Sequence, residues 1–398
     1  MSARDPSVSL VRDIVCPRCG APLDPVAEAI ACPQCNQEYG RVGGIPVLLP
    51  RPADQVRLWR QQLGLLIARG EQMQAALAAE ADGPGLLPTA RSRLKGMAEG
   101  VRNQLADFVA QLGPALGGPL EPSEATGLPR GVVEYSHCLY RDWGWDHGNR
   151  ENDQARDAIR GVVGDDATLG RMLVVGAGGC RLAYDLHRRL GATETAVVDI
   201  DPFLLVIAEA TVRGKPVRLT EAPANVSEMT GIARSWNLRA PSGLLADDVF
   251  HFFFANGMAP PFRAGTFDTV VTPWFIDQVP TDLPAFFTKL GEVLKPGGRW
   301  INHGPLIYPL DAPLSRRFSR EEIFELVERA GFRIERWSSQ SAPHLVSPLT
   351  GRGKVEWAMT FAAVAPVYAR SAGRRLGLAG RMRTLSGSYR TLASSGGG

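Results

Sequence analysis

The chain has 398 residues, of which 44% are apolar and 21% charged, with a formal net charge of +3. That length allows two or three domains with a sizeable core, and the composition is that of a soluble globular protein. The charge is too small to argue for a nucleic-acid partner by itself, and no run has membrane-spanning length or a signal-peptide pattern, so a cytoplasmic protein is expected. Four of the six cysteines fall in one tight pattern while Cys138 and Cys180 stand alone, which reads as metal binding rather than as a disulfide framework.

Residues 1–50 form the first predicted unit. Cys16-Pro-Arg-Cys19 and Cys32-Pro-Gln-Cys35 are two C-x-x-C knuckles twelve residues apart. Each places two thiolates on a tight turn, and together they complete a tetrahedral four-cysteine zinc site with no coordination position left for substrate. The zinc is therefore expected to be structural, holding a piece too small for its own core. A redox pair would need only one such knuckle before a helix. With its Gly44-Ile-Pro-Val-Leu-Leu49 ending, the segment resembles the small zinc-ribbon family whose members activate tRNA and release-factor methyltransferases.

Residues 51–130 read as helical. Leu58, Leu63, Leu65, Leu66 and Ile67 give one apolar face, and Leu94, Met97, Val101, Leu105, Val109 and Leu112 another. Gly83-Pro-Gly-Leu-Leu-Pro88 separates them, and the Pro/Gly-rich stretch 113–129 reads as a linker or irregular wrap. A core predicted over 131–368 opens with the aromatic stretch Tyr135 to Trp145, which carries His137 and Arg141, and with a helix over 152–163. Met172-Leu-Val-Val175 then reads as a buried strand that breaks at Gly176, with Gly178 two residues on, and resumes as a helix through Leu182, Leu186 and Leu190. A strand entering a helix through a glycine turn brings backbone N–H groups close to a polar ligand. The next strand ends at Asp199, where a carboxylate can hold ribose hydroxyls.

Further on, 213–241 reads as irregular, and Ala246-Asp247-Asp248-Val249 as an acidic turn after a short strand. Phe267 to Val271 is a strong buried strand leading to Asp277, followed by a helix over 283–294, the turn Lys295-Pro-Gly-Gly298 and a strand Arg299 to His303. Ser319-Arg-Glu-Glu322 has capping-box spacing, and strands are expected at 332–337 and 356–364. Alternating strands and helices imply a mostly parallel sheet covered on both faces. The Arg/Gly/Ser-rich tail, 369–398, reads either as a disordered end or as a contact for an acidic partner.

The strand Phe267-Asp-Thr-Val-Val271, the helix ending Leu294-Lys-Pro-Gly-Gly298 and the strand after it resemble the fourth and fifth strands of class I methyltransferases. This implies an α/β, Rossmann-like, doubly wound sheet that binds S-adenosylmethionine. Arg141-Asp-Trp143, Gly176-Ala-Gly178, Phe275-Ile-Asp277 and Trp300-Ile-Asn-His-Gly-Pro-Leu-Ile-Tyr308 together resemble the carnosine N-methyltransferase family over about 132–365. Its members methylate an imidazole nitrogen in histidine-containing dipeptides or in protein histidines.

The resemblance implies that Arg141 holds the cofactor's carboxylate, that Gly176 and Gly178 admit its approach, and that Asp199 takes the ribose. It implies that Asp248 and Val249 flank the adenine, that Thr269 lies on the wall, and that Asp277 holds the acceptor imidazole. Tyr308 would line the acceptor pocket. Cys138 and Pro309 stand where the family has a cofactor-binding Gln and a substrate-contacting His, and His303 is available in the same motif for a substrate or proton role, or as a buried hydrogen-bonded histidine. An RNA methyltransferase gripping RNA with ribbon and tail, and a non-catalytic binding protein, are the alternatives. The modest charge and the lack of a base-stacking aromatic motif beside Asp277 count against RNA.

Overall fold

The computed structural model describes residues 9–24, 30–117, 135–145, 149–279 and 282–367. The predicted tail and most of the predicted 113–129 linker lie outside the described residues. The described residues up to Val367 form one compact unit.

The N-terminal segment contributes four short strands: β1 (Ile30–Ala31), β2 (Glu38–Tyr39), β3 (Arg41–Val42) and β4 (Ile45–Leu48). Two long helices follow, α1 (Pro52–Ala81) and α2 (Pro88–Leu116), each with proline in its first turn, where the missing N–H costs nothing. Their break falls at the predicted Gly-Pro run. A short helix α3 (Ser136–Leu139), a π-helical turn (Tyr140–Gly144) and α4 (Asn149–Val163) lead into the core.

The core elements are β5 (Gly170–Val175), α5 (Arg181–Arg189), β6 (Ala192–Asp199), α6 (Pro202–Val212), β7 (Val217–Glu221), β8 (Arg234–Leu238) and β9 (Phe250–Ala255). They continue with β10 (Phe267–Pro273), α7 (Leu283–Val293), β11 (Leu294–Gly304), α8 (Arg320–Arg329), β12 (Arg333–His344) and β13 (Lys354–Val364). The capping box at Ser319 and Glu322 forms as its spacing predicts.

Nine strands make one sheet in the order β12-β13-β11-β10-β5-β6-β9-β4-β3. The run from β11 to β9 is parallel, while β13 is inserted antiparallel to both neighbours. Successive residues of a strand point to opposite faces, and the core divides accordingly. Val174 and Val197 face one cluster with α5 and α6, whereas Leu173, Val175, Ala196 and Val198 face another with α7 and α8. Leu173 and Val174 are both 0% exposed, and each such side chain contributes about 1.5–3 kcal/mol by leaving water.

The N-terminal segment is built into this sheet, since β4 pairs in parallel with β9 (Val47 opposite Phe254, Leu48 opposite Ala255). Its first turn is pinned by buried Glu194, which accepts from Ser9 Oγ, Leu10 N–H and His251 Nε2, each at 2.8 Å.

Two segments differ from the sequence reading. The stretch expected to be irregular holds the antiparallel hairpin β7–β8, whose alternating partners Leu219 and Trp236 lie buried against the core. The strand expected before the acidic turn comes after it: Phe250-His-Phe-Phe-Phe-Ala255 is β9, buried at all six positions.

Candidate active site

At the C-terminal end of β5 the chain turns through Gly176 and Gly178, with φ of 68° and 54°. A Cβ on Gly176 would stand 2.3 Å from the Phe275 ring, so glycine is required there both for its backbone angle and for space. Gly176 N–H donates to Val198 O (2.9 Å), and Gly178 N–H donates to Asp199 Oδ2 (2.8 Å). Asp199 Oδ1 also accepts from Ile200 N–H (2.7 Å) and Asp201 N–H (3.0 Å). Burial raises the Asp199 carboxyl, and these three N–H groups oppose the shift. Asp201 caps α6, and burial together with the Asp199 charge pushes it up to about 8.

The π-helical turn closes over this loop. Trp143 Nε1–H donates to Gly179 O (2.7 Å), and Arg181 donates to Asp142 O (2.7 Å) and pairs with Asp185 (2.9 Å). Arg181 is 5% exposed and thus anchors the turn. Arg141 pairs through Nε with Asp142 (2.7 Å), and its Nη1 lies 4.0 Å from Glu151. Cys138 lies within the electrostatic reach of Arg141, and burial pushes its thiol up to about 11.

Asp248, Val249 and Thr269 are not part of this arrangement. Asp199 is level with Phe254, whereas Val249 O accepts from Thr195 N–H at the opposite end of the sheet. Asp248 is exposed there, about 13 Å or more along the strands from the glycine turn at about 3.3 Å per residue. The acidic turn precedes β9 instead of following it, which carries both residues to the wrong end. The C-terminal end of β9 runs into Asn256, Gly257 and Met258, and a Cβ on Gly257 would meet Val175 and Phe275. The apolar run 250–255 was the available signal for that strand. Thr269 is 1% exposed and level with Met172 and Arg299, below the strand ends.

The second half of the site follows β10. Trp274 takes a left-handed backbone angle (φ 52°) and donates its N–H to His303 O (2.7 Å). Its ring stacks on His344 (4.3 Å, 23°) and meets His303 edge-on (5.9 Å, 78°). Asp277, 3% exposed, accepts Ile307 N–H through Oδ2 (3.3 Å). Asp277 Oδ1, the Tyr308 hydroxyl and His344 Nδ1 are buried without a hydrogen-bond partner among the described residues. Burial, opposed by N–H donors, pushes Asp277 up to about 6. Burial raises the Tyr308 phenol, and the Asp277 charge adds to that shift. His303 is 1% exposed, shares Nδ1 with Thr360 Oγ1 (2.8 Å), and is pushed by burial to about 4. It is therefore a neutral, hydrogen-bonded histidine beneath the Trp274 ring. His344 and Glu356, which sequence reasoning missed, join the same region from β12 and β13.

In the N-terminal segment, the Sγ atoms of Cys16, Cys19, Cys32 and Cys35 lie within 4.8 Å of one another. The pairs Cys16–Cys35 and Cys19–Cys32 are 3.7 and 3.5 Å apart. A tetrahedron with Zn–S bonds of about 2.3 Å has edges of about 3.8 Å, so the four thiols fit the metal.

A mainly parallel sheet with a reversed strand, β13, inserted near one edge, opening at a glycine turn that faces a strand-end aspartate, is the fold of class I S-adenosylmethionine-dependent methyltransferases. Residues 200–345 match the model of the carnosine N-methyltransferase family. Carnosine N-methyltransferase of Rattus norvegicus is 37% identical over 76 residues, 18% of this chain and 19% of that protein. The Mus musculus protein is 34% identical over 76 residues, with the same coverage. The alignment thus spans about a fifth of the curated relatives' length. A methyltransferase from Methanosarcina mazei, 14% identical, covers 51% of this chain and 95% of its own with a TM-score of 0.35.

Proposed function

We propose that this protein is an S-adenosylmethionine-dependent N-methyltransferase that methylates an imidazole nitrogen of a histidine-containing small peptide or protein. The observation that carries this reading is the buried Asp277 carboxylate, with one oxygen held by Ile307 N–H and the other unpartnered. It lies at the strand ends where open α/β sheets bind ligands, inside the segment that matches the carnosine N-methyltransferase family.

The residues at the glycine turn fit the cofactor. It needs a carboxylate clamp and a ribose acceptor but no phosphate site, and the one cation anchoring the turn, Arg181, is already committed to protein partners. Arg141 would hold the carboxylate, Gly176 and Gly178 would line the approach, and Asp199 would accept the ribose hydroxyls. Asn256 to Met258 would border the adenine. When bound, S-adenosylmethionine supplies a methyl group already made electrophilic by the sulfonium. What the chain adds is alignment: holding the acceptor nitrogen in line with that methyl converts binding into effective molarity.

Asp277 Oδ1 would accept the N–H of the ring nitrogen that does not react. This fixes the tautomer, leaves the other nitrogen's lone pair free to attack, and stabilises the positive charge that the ring acquires. Tyr308 would line the ring's pocket, and His303, held neutral, would support Trp274. The four cysteines would bind one structural zinc.

The test is incubation with isotopically labelled cofactor and histidine-containing acceptors, read by mass spectrometry. Label on a ring nitrogen is the expected result. Label confined to acceptors without imidazole would overturn the reading.

A further inference from the structure

The strand register brings a second carboxylate to the acceptor side. Residues directly opposite in an antiparallel pair project from the same face. His303 is opposite Thr360, Ala342 opposite Glu356 and His344 opposite Lys354, so His303, Thr360, Glu356 and His344 share one face of the β11–β13–β12 ladder. His303 and Thr360 are joined on that face by their hydrogen bond, and the Trp274 ring, in the loop that leads to Asp277, packs against both histidines. Glu356 therefore opens towards the pocket defined by Trp274, Asp277 and Tyr308, and it is close enough for its charge to raise the Asp277 carboxyl.

Glu356 is 8% exposed. Its one ion-pair partner among the described residues is Lys354 at 3.8 Å, a side chain that is 74% exposed. A lysine so wet offsets little of a buried carboxylate's charge. The other ionisable groups facing the pocket do not help: His344 is pushed by burial, and by Arg141 and Lys354, to about 3, and Tyr308 is held neutral. Two buried carboxylates thus stand against the exposed Lys354 ammonium, since Arg141, the other cation that acts on His344, is paired with Asp142 and lies 4.0 Å from Glu151. A neutral imidazole satisfies Asp277 with its N–H but leaves Glu356 uncompensated.

We propose that Glu356 selects the acceptor by binding a positively charged amine arm attached to the ring that Asp277 holds. The preferred acceptor class is then an imidazole carrying a short alkylammonium group, a narrowing that rests on the imidazole reading above. Methyl transfer is unaltered by this contact: the ring nitrogen forms the bond to carbon, the sulfonium departs as a neutral thioether, and the ring proton leaves to solvent.

The experiment compares the full chain acting on an imidazole with an aminoethyl arm and on the matched ethylimidazole, with the methyl located by mass spectrometry. Wild-type protein should prefer the amine-bearing acceptor in kcat/KM by about tenfold or more, the scale of a hydrogen bond to a charged group. Glu356→Gln should collapse that ratio towards one, with cofactor affinity measured by calorimetry as the check on folding. Methylation of both acceptors with no preference, or a preference that survives in Glu356→Gln, overturns the role of Glu356 alone. Methylation of neither overturns the imidazole reading, and this proposal with it.

Discussion

The two ends of the site are built differently. At the glycine turn nearly every polar group is already paired within the protein: Asp199 accepts three backbone N–H groups, Arg181 has two partners, and Trp143 binds Gly179. On the acceptor side, Asp277 Oδ1, Tyr308 Oη and His344 Nδ1 are buried without partners among the described residues. A satisfied buried network is rigid, whereas an unpaired buried polar atom costs about 1–3 kcal/mol until something pairs with it. The first end is a preformed cradle. On the function proposed above, the second stores an unfavourable desolvation that an acceptor of matching polarity would relieve, which would make it the end that sets specificity.

The largest effect expected from this contrast is at Asp277. Asp277→Asn should lower kcat/KM by about a hundredfold or more, the usual scale for a group that stabilises developing charge, while cofactor affinity by calorimetry stays within about twofold. A matching loss of cofactor binding would break the division into two ends. The pH profile sharpens it. Asp277 is raised to about 6 by burial, so its accepting form prevails above that pH and is lost as pH falls through it. A free imidazole protonates near 6.5, about the same place. The acid limb of kcat/KM should therefore steepen towards a slope of two in the wild type and return to one in Asp277→Asn.

Next in size is Gly176→Ala. A methyl 2.3 Å from the Phe275 ring on a backbone at φ 68° must displace the turn, and cofactor affinity should fall by about tenfold to a hundredfold. Unchanged affinity would mean that the turn is not the cradle. With the proposed zinc in the four-cysteine cluster, a chelator or Cys32→Ser should lower Tm by about 5–10 °C through loss of the pinned N-terminal segment, with a smaller effect on turnover of surviving protein. The smallest effect belongs to Asp248→Ala and Thr269→Val. Both lie away from the strand ends, and both should leave cofactor affinity within about twofold.

What the sequence disclosed follows the same division. The glycine turn before Asp199 and the clustering of the cysteine knuckles are legible because each rests on a short local pattern whose geometry the structure shows. Asp277 is legible as the first carboxylate after a strongly apolar strand. Asp248, which the family resemblance puts at the adenine, lies at the other end of the sheet because the six buried residues of β9 follow the acidic turn. The β7–β8 hairpin was hidden because its two short strands are separated by twelve residues of mixed composition. His344 and Glu356 could not be seen, since neither sits in a motif. Only the register of β11, β13 and β12 brings them to His303, some forty to fifty residues away in sequence.

The pairing of β4 with β9 has a consequence for the protein's behaviour in solution. Without β4, β9 would end the large sheet as an open rim of unpaired backbone groups, with Phe250, Phe252, Phe253 and Phe254 along it. Such a rim templates pairing with other chains, and an aromatic strand with no charged side chain and no proline has little defence against it. By laying β4 against that rim, and by turning back through β3, the N-terminal segment covers the edge at which this strand would otherwise pair with other chains.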